Sequence, residues 1–200
     1  LSAQYAGEGN FNSVTSTAVA LTVNKVTPVV ELAASPNPAT FGQSVMLTAT
    51  VSSDVGTPTG IVTFTNADAL LGTANLSNGR ALFTATGLLA ASHTFTATYA
   101  GDGNFNAAAS PPLAQTVVKA APVLALAAHP YPSTFGQSVT LTATVSSAAG
   151  VPSGSVAFQH HGMPLGTASL SNGVAVISTT ALTGGDHTLT FDYSGDDNFS

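Results

Sequence analysis

The side chains best suited to hold a metal ion lie close together at His160, His161 and Met163. Two imidazoles and a thioether suit a soft or borderline cation such as copper. A second cluster is rich in oxygen. It comprises Gly101-Asp-Gly-Asn104, Asp196, Asp197 and Asn198 near the end of the chain, and Glu8 and Asn10 near its start. Carboxylate and amide oxygens suit calcium, which makes Asp102, Asn104, Asp196 and Asp197 candidate ligands. The competing reading is a turn, in which Asp and Asn cap backbone amides and Gly supplies positive φ. One or two carboxylates are few for a tight calcium site. His93 and His187 each precede a threonine, but neither has both a nucleophile and an orienting acid beside it. No serine has the Gly-x-Ser-x-Gly setting of a hydrolase. No catalytic residue and no cofactor is assigned. Asn75-Leu-Ser77 and Asn198-Phe-Ser200 fit the N-glycan acceptor pattern, which chance explains equally well.

A repeat positions these residues. Tyr5-Ala-Gly-Glu-Gly-Asn-Phe-Asn12 returns as 99–106 and again as 193–200, each time after 94 residues. Phe41–Phe64 aligns with Phe135–Phe158 without a gap, and 17 of the 24 positions are identical. A period this long is the size of a small domain and too long for a solenoid coil. The histidine–methionine trio matches Asn66, Ala67 and Ala69 of the first copy, on a loop between the third and fourth strands where the copies diverge. Internal copies argue against a single asymmetric active site. The chain therefore reads as a non-enzyme.

Composition narrows the classes further. Hydrophobic residues make up 44%, enough for packed cores, while charged residues make up only 6%, against roughly 25% in ordinary globular proteins. Lys25, Arg80 and Lys119 are the only fixed cations against a net charge of −6. That excludes the basic surface needed by nucleic acid or an anionic membrane. There is no cysteine, hence no disulfide, and no apolar run long enough for a spanning helix.

Period-two alternation dominates. Val45, Leu47, Ala49 and Val51 alternate with Ser44, Met46, Thr48 and Thr50, and Phe95, Ala97 and Tyr99 alternate with threonines. Turn signals such as Asn78-Gly79 and Gly101–Asn104 divide each copy into seven strands, near 28–34, 44–53, 60–66, 70–76, 80–86, 92–100 and 112–118. The fold class expected is all-β: tandem seven-stranded antiparallel immunoglobulin-like sandwiches. Val45, Leu47, Val62, Phe64, Phe95 and Tyr99 should be buried, and likewise Val139, Leu141, Val156, Phe158, Leu189 and Tyr193. Phe83 should help to fill the first core. Prolines 36, 38, 111 and 112 mark the first and last strands as edges.

The ordered motifs Phe-Gly-Gln-Ser-Val-x-Leu-Thr-Ala-Thr-Val, Pro-x-Gly-x-Val-x-Phe, Leu-Gly-x-Ala-x-Leu, His-Thr and Tyr-x-Gly-Asp-x-Asn-Phe resemble the bacterial immunoglobulin-like repeat family. The resemblance covers both copies. It implies tandem modules of large secreted or surface-anchored bacterial proteins, often adhesins, in which they act as stalks. The function expected is a structural spacer of an extracellular or cell-surface protein, with possible assembly into a fibre. The alternative is an adhesive module that binds glycan or a host protein through loops at the sandwich end.

The expected organisation is 1–24, the terminal strands of a preceding repeat; 25–119, a complete repeat; and 120–200, a repeat without its last strand. Lys25-Val-Thr-Pro28 and Lys119-Ala-Ala-Pro122 form short, glycine-free linkers that favour an elongated rod. Trypsin should cleave the folded chain slowly, and mainly at those lysines. The expected partners are neighbouring repeats of the same or an identical chain. Residues 12–24 carry Val19, Leu21 and Val23 in the phase of Leu113, Gln115 and Val117, so donor-strand addition between chains is one route to them.

Overall fold

A computed structural model describes all residues from Leu1 to Ser200. The chain is all β, and no helix is long and apolar enough to cross a membrane. It opens with a small hairpin, β1 (Gln4–Tyr5) and β2 (Val14–Thr15). The first module follows with β3 (Val29–Ser35), β4 (Ala39–Thr40), β5 (Val45–Ser52), β6 (Ile61–Asn66), β7 (Ala69–Asn75), β8 (Arg80–Ala85), β9 (Ser92–Tyr99), β10 (Ala108–Ala109) and β11 (Leu113–Val118). The second contains β12 (Val123–His129), β13 (Val139–Ser146), β14 (Ser155–His160), β15 (Met163–Ser169), β16 (Val174–Thr179) and β17 (Leu189–Tyr193).

Each module is a two-sheet sandwich. In the first, β3-β5-β8 faces β4-β11-β9-β6-β7, with β10 also paired to β9. In the second, β12-β13-β16 faces β15-β14-β17. The alternation in the sequence explains the layering, because each strand turns one apolar face inward and a hydroxyl face to water. Val45, Leu47, Ala49 and Val51 are buried in β5, as are Val139, Leu141, Ala143 and Val145 in β13. The Asn78-Gly79 and Asn172-Gly173 pairs both have positive φ at both residues, the backbone of a tight two-residue hairpin turn.

Several sequence expectations change. The sheets are not wholly antiparallel, since β4 runs parallel to β11. Pro36 and Pro38 offer no N–H to continue the β3 ladder, and the chain crosses to the opposite sheet. That crossing lays β4 beside β11, so the last strand is not a bare edge. Phe83 is only half-buried and stacks on Phe64 with ring centroids 5.5 Å apart. The second module uses Ile177 at that place, and Phe158 takes its aromatic partner from Phe191 of β17 at 6.3 Å. Leu189 and Tyr193 are half-buried, whereas Phe95 and Tyr99 are fully buried. The cause is local: β9 lies between β6 and β11, whereas β17 pairs with β14 alone.

The opening hairpin repeats a pattern found later. Tyr5 pairs with Val14 as Tyr99 pairs with Ala108, one period on. Leu1 and Val19 exchange hydrogen bonds at the place where Phe95 and Leu113 pair. Within 12–24 only Val14–Thr15 forms a strand, and Val19, Leu21 and Val23 are exposed.

Candidate functional site

The acidic turns are built alike in both modules. Asp102 Oδ1 accepts the N–H groups of Asn104 and Phe105 at 2.8 and 2.9 Å. Its Oδ2 accepts the N–H and hydroxyl of Thr59, both at 2.9 Å. Asp196 repeats the clasp with Asn198, Phe199 and Ser153 at 2.7–2.8 Å. The Thr59 N–H, then that of Asn104, hold the Asp102 carboxyl below the usual carboxylate range. Burial alone would raise Asp196, but the donors of Ser153, Asn198 and Phe199 outweigh it and bring it to about 2. A cation here would have to displace four donors per carboxylate. Asp197 and Asn104 are exposed, and neither adds a side-chain contact to the clasp.

These clasps fasten the modules to their leading segments. Lys25 and Lys119 donate from Nζ to the carbonyls of Asp102 and Asp196. Val26 bridges Phe105 in parallel, and Ala120 bridges Phe199 in the same way. The linker lysines are therefore pinned to the module that follows them.

A joint between the modules is built on top of the second clasp. Phe41, between β4 and β5, meets Phe199 edge to face, with centroids 5.3 Å apart and planes at 84°. Asn198 Oδ1 accepts the Ala90 N–H at 3.0 Å, a contact between two modules. That use occupies the side chain of the second glycan acceptor pattern, while Asn75 is exposed at the end of β7. Gly42 has φ +85, and a Cβ there would lie 2.5 Å from the Ala149 Cβ. Glycine is required at 42 on both counts. A cleft of about 400 Å³ runs beside Phe41, Gly150, Asp196 and Phe199.

The same parts recur without partners. Phe135, the counterpart of Phe41, is 78% exposed, and nothing lies within 4 Å of a Cβ built on Gly136. At the other end Val55, Gly56, Asn104 and Phe105 correspond to Ala149, Gly150, Asn198 and Phe199. Val55 is exposed, and a cleft of about 400 Å³ opens beside these residues. Sequence reading missed the joint. The only available signal was the exact retention of Phe41-Gly42 as Phe135-Gly136 in a stretch with no turn or strand need for an aromatic.

The structure places His160 at the end of β14 and His161 in a two-residue turn with Gly162, between β14 and β15. Met163 opens β15 and is 69% exposed. The residue that joins the two histidines is His187, whose Nδ1 lies 2.9 Å from His160 Nε2 and whose Nε2 donates to the Thr183 carbonyl. His93 instead pairs through Nδ1 with Asn66 at 2.9 Å and through Nε2 with the Leu89 carbonyl.

Curated protein sequences give no match. Among solved structures, the fibronectin(III)-like modules of CbhA from Clostridium thermocellum align over 86% of this chain and 88% of theirs, at 22% identity and a TM-score of 0.38. The adhesin InvE of Yersinia pseudotuberculosis aligns over 82% of this chain and 58% of its own, at 20% identity and a TM-score of 0.43. A β-glucuronidase of Parabacteroides merdae aligns over 84% of this chain but only 24% of its own, at 12% identity and a TM-score of 0.33. The bacterial Ig-like domain (group 3) family matches residues 32–118 and again 126–200. Two sandwiches in tandem, each covered by that match, make this chain a member of the bacterial Ig-like domain family.

Proposed function

We propose that the chain is a non-enzymatic spacer, a length of an extracellular bacterial stalk in which identical joints repeat along one polypeptide. The observation that carries this reading is the joint itself. The Phe41–Phe199 contact has an unfilled counterpart at each end, the exposed Phe135 and the open cleft at Val55 and Phe105. Such a head-to-tail contact does not close on itself, so it extends in one direction. A surface with few charges and many hydroxyls suits exposure outside the cell, where pH and salt vary.

Residues 1–24 then serve as the last hairpin of a preceding repeat in the same chain. Strand donation to another chain fits less well, because residue 19 is already paired with residue 1. The partners of each repeat are its two neighbours.

The test is to extend the chain by further 94-residue copies and measure the maximum dimension by small-angle scattering. Each copy should add a constant increment of about 35 Å, the length of strands of eight residues plus their turns. Increments that shrink with copy number would mean flexible joints and would overturn the spacer reading.

A further inference from the structure

The second module carries a feature that the first lacks. His160, His161 and His187 offer ligand nitrogens that all lie within 4.8 Å of one another. We propose that these three imidazoles form a binding site for a divalent cation of the zinc or copper class, with its fourth position open to solvent.

The geometry supports this in three ways. First, His187 Nε2 lies 2.7 Å from the Thr183 carbonyl, which can only accept, so that nitrogen carries the proton. The lone pair of Nδ1 is thereby turned toward His160. An outer hydrogen bond of this kind fixes the tautomer and orientation of a metal-binding imidazole.

Second, His187 Nδ1 and His160 Nε2 are 2.9 Å apart and now share one proton. Two nitrogens bound tetrahedrally at 2.0–2.1 Å stand about 3.3 Å apart. A cation can take its place once the His160 proton moves from Nε2 to Nδ1, leaving both facing nitrogens with lone pairs, and the two nitrogens need part by only a few tenths of an ångström.

Third, His161 sits at φ +47 in the turn, with its ring 4.3 Å from that of His160. The turn therefore presents two imidazoles to the third. The first module is an internal control. His93 holds the place of His187, but Asn66 and Ala67 replace the other two, and Asn66 satisfies His93 by a hydrogen bond instead. Three ligands and an exposed rim suit zinc or copper, to which imidazole is a good ligand.

The experiment titrates Zn²⁺ into the metal-free 200-residue chain by calorimetry, with Co²⁺ absorption as a readout of coordination geometry. One saturable site per chain is expected, with tetrahedral Co²⁺ bands. H160N/H161A installs the residues already found at 66 and 67 and should lower Zn²⁺ affinity at least 100-fold without changing the unliganded melting temperature. H93A should leave affinity within 2-fold of wild type. Absence of saturable binding, survival of binding in H160N/H161A, or equal loss in H93A would each overturn the assignment.

Discussion

Replacing Phe41 by alanine isolates the joint, because Phe135 is the same residue of the next copy with no module packed on it. Phe135 is 78% exposed, whereas Phe41 is half-buried against Phe199 and its own module. Hiding about half of a ring of ~200 Å² removes ~100 Å² from water, or ~2.5 kcal/mol at ~25 cal/mol/Å². The edge-to-face contact adds about 1 kcal/mol. F41A should therefore cost ~2–3.5 kcal/mol, and F135A no more than ~0.5 kcal/mol. Urea denaturation of the 200-residue chain, followed by circular dichroism, measures both. A double-mutant cycle of F41A with F199A should return a coupling of about 1 kcal/mol. Equal costs for F41A and F135A, or no coupling with Phe199, would refute the joint as an energetic contact.

Three further outcomes are expected. The clasp carboxylates have depressed folded values, so their stabilisation is complete above the unfolded carboxyl value of ~3.9 and is lost as pH falls toward and below about 2. Melting temperatures between pH 5 and 2 should fall, and D102N/D196N should flatten the fall; a wild-type profile without slope would contradict the clasps. L141A should destabilise the second module by ~2.5–5 kcal/mol, and L189A by less than half of that because Leu189 is half-buried. Trypsin should cut Lys25 and Lys119 slowly in the folded chain, since Val26 and Ala120 are bridged to Phe105 and Phe199; F41A should speed cleavage at Lys119, and prompt cleavage of wild type there would show the linker to be free.

Much of the sandwich is legible in the sequence because strand period and burial coincide. Leu47 and Leu141 lie in phase with Val45 and Val139, and all four are buried. The Asn-Gly turns carry their own φ requirement and mark where the chain passes from β7 to β8 and from β15 to β16, one sheet to the other. What is not legible depends on contacts between distant segments. β4 is two residues long and has no alternation to read, so its parallel pairing with β11 is set by the crossing at Pro36–Pro38. Leu189 and Tyr193 are less covered than Phe95 and Tyr99 because β17 is an edge strand and β9 is not, which their own types do not reveal. His187 resembles His93 in sequence, yet its partner is His160 because β14 pairs with β17 in that register. Lys25 and Lys119 look like linker residues and act as fasteners for the turn that follows.

The central claim is that the two modules are held by a fixed joint. ¹⁵N relaxation of the 200-residue chain tests it most directly, since it reports how each module tumbles. A fixed joint predicts one prolate diffusion tensor that fits the amides of β3–β11 and β12–β17 together, and that separates into two in F41A. Independent, near-isotropic tumbling of the two modules in the wild-type chain would contradict it.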